Sequence, residues 1–138
     1  MNPSLNDQFA SLSLRLTKPR IAVFQTLNSN SEPLSIAQII NQTDSVDRVT
    51  IYRTLALFEK LHIVERITTG WKHTYELAEP FKPHHHHLIC TSCGSITKIQ
   101  SDHIEQLITY IAHKHHFQPT AHHFEVCGIC EKCQETHQ

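Results

Sequence analysis

The chain has 138 residues and a mass of 15.9 kDa, enough for one ordinary domain or two small ones. Hydrophobic residues make up 39%, but no apolar run approaches the ~20 residues of a membrane-spanning helix. Met1 to Arg15 also lacks the basic-then-apolar block of a signal peptide, so cytoplasmic residence without a membrane partner is the expectation. A net charge of −1 supplies no global pull toward nucleic acid, so any DNA contact must come from a few well-placed basic residues, particularly in a dimer.

In chain order, residues 1–78 predict helices followed by a hairpin. Thr17 is placed to cap a helix with Pro19 in its first turn and Ile21, Phe24 and Leu27 at helical spacing. Ser35 can cap a short second helix carrying Ile36, Ile39 and Ile40. Asp44, Ser45 or Asp47 can start a third, with Ile51, Leu55 and Phe58 as its buried stripe. Ile63 to Ile67, a turn at Thr69-Gly70, and Trp71 to Leu77 then predict a two-stranded ribbon. Three helices and a β-hairpin are the outline of a winged helix-turn-helix.

In the third helix the apolar stripe leaves Thr50, Tyr52 and Arg53 nearer the outer face. Arginine and threonine can bond base edges or phosphates, and tyrosine can touch a thymine methyl while its hydroxyl donates. Upstream, Arg15 and Lys18 could meet phosphates or a narrow minor groove. Ala78 to Pro83 contains two prolines and marks a linker. The chain is thus divided into a winged-helix domain at 1–78, a hinge at 79–83 and a second domain at 84–138. In the latter, His86 to Cys90 and Ile96 to Gln100 predict strands. Ser101 or Asp102 starts a helix with Ile104, Leu107, Ile108 and Ile111 on one face, and Ala121 to Cys127 predicts a last strand. The fold class is α+β, with β-β-α-β as the second unit.

Five cysteines and thirteen histidines are the unusual counts. An odd cysteine total in C-x-x-C pairs fits a metal site better than a secreted disulfide framework. Cys90-x-x-Cys93 and Cys130-x-x-Cys133 form two knuckles, each able to put two thiolates on one side of a tight turn. Gly94 suits the backbone that such a turn requires. Together the knuckles complete a tetrahedron around Zn²⁺ with no open position, which makes the site structural. Cys127-Gly-Ile-Cys130 is an alternative register; Cys130 and Cys133 are preferred, leaving Cys127 as a strand-end thiol.

His84-His85-His86-His87 leads into a strand, where alternate side chains face opposite ways. His84 and His86 then share one side, with Glu105 and His122 as plausible partners. Three imidazoles and a carboxylate suit Zn²⁺ and also accept Fe²⁺, Co²⁺ or Ni²⁺. His85 and His87 share the other side, where Glu65, Glu76 and Glu79 offer oxygen ligands. A site of that kind would tie the two units together, as a sensor needs. His62, His73, His103, His113, His115, His116, His123 and His137 are expected at the surface or in packing.

These pieces together resemble the ferric uptake regulator family of iron-, zinc-, manganese- and peroxide-responsive repressors, from about Leu14 to Cys133. Leu16-Thr17-Lys18-Pro19-Arg20 looks like the family's opening helix motif, and Thr50-Ile51-Tyr52-Arg53-Thr54-Leu55 like its recognition helix. His84 to Gly94 looks like its hallmark metal segment, and Gly128 to Cys133 like its second knuckle, which supports the preferred cysteine register. The resemblance implies a homodimer paired through residues 84–138, with winged helices on a palindromic, AT-rich double-stranded DNA operator. It implies DNA contacts at Arg15, Thr50, Tyr52 and Arg53. It implies a regulatory metal on His85, His87, Glu76 and Glu65 near the hinge, and an additional metal on His84, His86, Glu105 and His122.

Two departures bear on the effector. Iron-type members usually have a histidine where this chain has Glu32-Pro33, and an acidic residue where Lys98 stands. Zinc-type members often use a cysteine in the sensing site, and residues 62–89 contain none. A zinc-responsive repressor, zinc uptake regulator-like, is expected ahead of an iron- or manganese-responsive one. Structural Zn²⁺ and a regulatory Zn²⁺, Fe²⁺ or Mn²⁺ are the implied cofactors. No catalytic residues are expected, because the ligand sets look coordinatively complete and no H-E-x-x-H occurs. Outside the family, a zinc-binding storage or interaction protein is the alternative.

Overall fold

The computed structural model describes residues 4–136, so His137 lies outside the described residues. The chain divides into two compact units, Met1–Pro83 and His84–Gln138. Residues 79–83, expected as a hinge, belong to the first unit, where Phe81 packs edge-on against Phe24 with ring centroids 5.2 Å apart.

The first unit opens with a helix that the sequence reading did not anticipate, α1 (Leu5–Ser11). Ser4 and Asp7 cap it reciprocally, each side chain bonded to the other residue's backbone N–H. The helix places Phe9 in the core against Phe58, edge-to-face at 6.2 Å. Next come α2 (Lys18–Asn28), β1 (Leu34–Ser35), α3 (Ile36–Gln42), α4 (Arg48–Lys60), β2 (Val64–Thr69) and β3 (Lys72–Leu77). Thr17 stands at the start of α2, but its side chain makes no capping bond; Pro19 in the first turn fixes the entry. Ser35 and Gln38 form a capping box on α3, and Asp47 is the residue that caps α4.

The wing differs from expectation in two ways. Trp71 is not in a strand: Gly70, with φ +61°, and Trp71 form the turn between Thr69 and Lys72, which are partners in the register. The left-handed φ at Gly70 is one that glycine adopts without a Cβ clash. Second, β1 joins the sheet, giving the antiparallel order β1-β3-β2. Two residues are too short to show alternation. Val23, Leu27, Ile39, Ile51, Leu55, Phe58, Ile63 and Leu77 fill the core between this sheet and the helices.

The second unit contains β4 (His86–Cys90), β5 (Ile96–Ile99), α5 (Asp102–Lys114), β6 (Glu125–Gly128) and α6 (Glu131–Thr136). β5 runs antiparallel to β4, whereas β6 runs parallel to it on the other edge. The parallel pairing needs a crossover, and α5 supplies it. The last strand is shorter than the expected Ala121 to Cys127. Residues 121–124 are irregular, so His122 sits in the loop before β6 rather than on the strand. α6, which begins inside the second knuckle and carries Cys133, was not anticipated either.

Burial differs sharply between the units. Among the described residues the buried hydrophobic positions of the second unit are Ile89 and Cys90. No residue of α5 is buried, and Leu107, Tyr110 and Ile111 lie 54%, 63% and 48% exposed. No described helix is long and apolar enough to cross a membrane.

Candidate metal centres and nucleic-acid interface

Cys90 ends β4 and Cys93 lies three residues on, in a turn closed by Gly94 N–H donating to the Cys90 carbonyl at 2.9 Å. Gly94 has φ +76°, a second turn that favours glycine. The parallel β4–β6 pairing brings the other knuckle alongside. Thr91 N–H donates to the Gly128 carbonyl at 2.8 Å and the Thr91 hydroxyl does so at 3.1 Å. The sulfurs of Cys90, Cys93, Cys130 and Cys133 then lie within 4.8 Å of one another. Cys127, paired with Ile89 on β6, is exposed and outside the cluster.

Donor chemistry tests the fit. A tetrahedron of thiolates about 2.3 Å from zinc has sulfur–sulfur edges of about 3.8 Å. Cys93 Sγ and Cys130 Sγ are 3.8 Å apart. The backbone N–H groups of Cys130 and Cys93 donate to Cys90 Sγ at 3.3 and 3.5 Å. These bonds bring the Cys90 thiol down to about 6. The Ser95 hydroxyl, 3.2 Å from Cys93 Sγ, lowers that thiol as well. Cys133 receives a lowering contribution from the Ser92 side chain, but Cys130, burial and the other two thiols outweigh it and push it up to about 12. Four thiols this close cannot all ionise without a cation among them, and such a set fits Zn²⁺. Ser92, Ser95 and Thr91 were missed in the sequence, because hydroxyls beside a knuckle carry no spacing signal.

The second cluster is built on β4, α5 and the loop before β6. The rings of His84 and His86 meet edge-on at 4.7 Å, and those of His84 and His122 at 4.5 Å. His86 Nε2 lies 2.7 Å from Glu105 Oε1, and His122 Nε2 lies 3.1 Å from Glu105 Oε2. His84 Nε2 is 2.8 Å from His122 Nε2 and 3.3 Å from Glu105 Oε1. The hydrogen bond from His86, followed by the His122 contacts, holds the Glu105 carboxyl below its usual range. Four ligand atoms thus converge within 4.8 Å, three nitrogens and one oxygen. Two imidazole nitrogens at hydrogen-bond distance need a proton or a metal between them, and the donor set fits Zn²⁺, Fe²⁺ or Co²⁺.

His85 and His87 form a further edge-on pair, 4.8 Å between ring centroids. Lys98 stands directly across from His87 in the β4–β5 register. In the first unit, Glu65 and Glu76 are directly opposed in the β2–β3 register, where like charges repel. Glu79 is exposed, just past β3.

On α4, burial of Ile51, Thr54, Leu55 and Phe58 turns the opposite face outward. Tyr52 is 48% exposed, with Arg53 exposed beside it. Val49, 57% exposed, completes the same stripe and was missed by the sequence reading. It looks like one more apolar helix position until the core side is known. Thr50 is half-buried and committed to the cap: its N–H donates to Asp47 Oδ1 at 2.9 Å and its hydroxyl to Oδ2 at 2.6 Å. Arg15 is exposed in the loop before α2, where its carbonyl accepts from Arg20 Nη1.

A winged helix-turn-helix joined to a unit with two sets of metal ligands defines a metal-binding, DNA-binding transcription regulator. The chain belongs to the ferric uptake regulator family, whose model matches residues 11–127. The ferric uptake regulation protein of Campylobacter upsaliensis is 36% identical over 129 residues, spanning 87% of this chain and 80% of that protein. That of Legionella pneumophila is 33% identical over 135 residues, spanning 94% and 98%. Among solved structures, the Helicobacter pylori ferric uptake regulator Fur superposes with a TM-score of 0.79 at 27% identity, covering 97% of this chain and 91% of that one. That structure is described as revealing three functional metal binding sites. The protein is therefore a metal-responsive regulator of this family.

Proposed function

We propose that the protein is a zinc-responsive repressor that binds a palindromic, AT-rich operator as a homodimer. Cys90, Cys93, Cys130 and Cys133 would hold a structural Zn²⁺. The observation that carries this assignment is the size of the second unit's core. With Ile89 and Cys90 as its buried hydrophobic positions among the described residues, apolar burial alone does not hold a domain of about 55 residues together. Structural zinc contributes roughly 10–16 kcal/mol of apparent binding energy, comparable to a whole domain's stability.

The same shortfall supports the homodimer. Among the described residues nothing covers the exposed apolar side chains of α5, and a second copy would bury them. Tyr52, Arg53 and Arg15 are assigned to DNA, with Thr50 acting through the cap it makes with Asp47.

His84, His86, Glu105 and His122 are assigned to an additional metal. The regulatory metal is assigned to Glu76, His85 and His87, with Glu65 as the neighbouring carboxylate. The direct opposition of Glu65 and Glu76 supports a cation there, since a divalent ion relieves their repulsion. Two imidazoles in the set favour Zn²⁺ over the harder Mn²⁺, and Lys98, a cation beside His87, offers no further oxygen ligand there. An iron-responsive repressor is the second reading, favoured by relatives that carry the name ferric uptake regulation protein. Operator affinity measured across Zn²⁺, Fe²⁺ and Mn²⁺ separates the two. Zinc should tighten binding at the lowest free concentration; tightening by Fe²⁺ alone would move the assignment to iron.

A further inference from the structure

Glu125 begins β6 and Gly128 ends it, and no residue of this strand is buried. Among the described residues β6 pairs with β4 alone, in a parallel register from His87↔Glu125 to Cys90↔Gly128. Residues 115–124, which lead into it, form neither helix nor strand. Parallel pairing is slightly weaker per residue than antiparallel pairing, and each backbone bond contributes little once the water bonds it replaces are counted. A short edge strand with no apolar anchor needs something else to hold it.

Both of its ends carry metal ligands. Just before β6, His122 Nε2 lies 3.1 Å from Glu105 Oε2 and 2.8 Å from His84 Nε2. His86 of β4 lies 2.7 Å from the same carboxylate. Just after β6, the Cys130 N–H donates at 3.3 Å to Sγ of Cys90, the last residue of β4. Between these sets the backbones are joined from His87 N–H on the Phe124 carbonyl, at 3.3 Å, to Thr91 N–H on the Gly128 carbonyl, at 2.8 Å. Each ligand set thus ties the β4 segment to the β6 segment, and the two sets bracket one short strand pair.

We propose that the two sites are coupled through β6, so that an ion in either one tightens the other. The conformational entropy lost in fixing β6 and residues 115–124 falls on whichever ion binds first, and the second meets a strand already in place. Linkage makes the effect reciprocal. The inference rests on the assignment of ions to both sets, and it makes the set containing His122 a second staple of the strand that leads to Cys130.

The probe is Co²⁺, added to full-length protein that retains zinc at the cysteines. His85→Ala and His87→Ala leave one nitrogen–oxygen set, and Cys127→Ser removes the exposed thiol outside the cluster. A d–d absorption band without sulfur-to-cobalt charge transfer marks occupancy of that set. The readouts are the rate at which the four remaining thiols react with a chromogenic disulfide and the amide exchange of residues 125–128. Saturating Co²⁺ should slow both by at least about fivefold. His122→Ala keeps three donors for Co²⁺ but cuts the tie to β6, so saturating Co²⁺ should then protect neither. A saturated band with both readouts unchanged overturns the coupling and leaves the two site assignments standing. Protection that survives His122→Ala, or that is lost in Leu107→Glu, places the coupling elsewhere than β6 and overturns it as well. Absence of the band overturns the assignment of the additional metal, and the inference with it.

Discussion

Glu105 and Cys133 separate the two metal clusters at the level of single side chains. Glu105 is the one carboxylate among three imidazoles, with oxygens 2.7 and 3.1 Å from His86 and His122. Glu105→Gln should reduce the cluster's affinity for a divalent ion by at least the roughly tenfold that even outer-shell changes cause. The check is competition against a chromogenic chelator, with the four-cysteine zinc retained throughout. Cys133→Ser should behave differently, losing the tightly held zinc and the helicity of the second unit. Cys127→Ser, outside the cluster, should keep both. Zinc-to-protein ratios and far-UV circular dichroism distinguish the three variants.

At the scale of elements, the caps decide how α4 presents its outer face. Asp47 accepts from the hydroxyl and the N–H of Thr50, and these bonds hold its carboxyl below its ordinary 3.8. The sign follows from linkage: a carboxyl lowered by folding stabilises the helix above pH about 4, and the contribution is lost as pH falls through its folded value. Wild-type α4 should therefore fray on acidification through that window. In Asp47→Asn this component of the acid transition should be absent, as followed by amide exchange of residues 48–51. On α3, Ser35→Ala removes a capping box and should cost about 1 kcal/mol, read as a lower thermal midpoint of the first unit.

The caps also show how far the elements were legible in the sequence. Ser35 and Asp47 stand just before apolar stripes at helical spacing, and both knuckles carry their ligand spacing in plain view. The alternation of His84 to His87 follows from strand geometry alone. What stayed hidden depended on tertiary contacts. α1 is seven residues long with one buried side chain, Phe9, and makes sense only against Phe58. β1 is two residues that pair solely because β3 is beside them. Ala121 to Phe124 has strand-like composition, yet those residues are irregular and His122 within them joins His84 and Glu105. The exposure of Val49 and the capping bond of Thr50 are illegible for a related reason: helical spacing gives the faces of α4, but not which hydroxyl its cap consumes.

For the whole molecule, a well-filled first unit contrasts with a second unit that has little buried apolar area, and the proposed zinc and the proposed homodimer both answer that shortfall. Leu107, Tyr110 and Ile111 lie along one face of α5 at 48–63% exposure. Leu107→Glu should shift the protein toward monomer in light scattering and weaken operator binding far more than the loss of one contact would, because two half-sites are then no longer held by one particle. A monomeric wild type would remove the explanation offered for that face.

On the proposed function, metal controls DNA affinity through sites distinct from the four cysteines. Linkage limits the effect to the metal's differential affinity for the DNA-competent arrangement, typically 1–3 kcal/mol, or about 5- to 150-fold. The most direct test is an anisotropy titration of operator duplex with protein that retains the four-cysteine zinc, with and without added Zn²⁺. Tightening within that range, abolished by His85→Ala together with His87→Ala, is the expected result. Equal affinity in the two titrations would contradict the account.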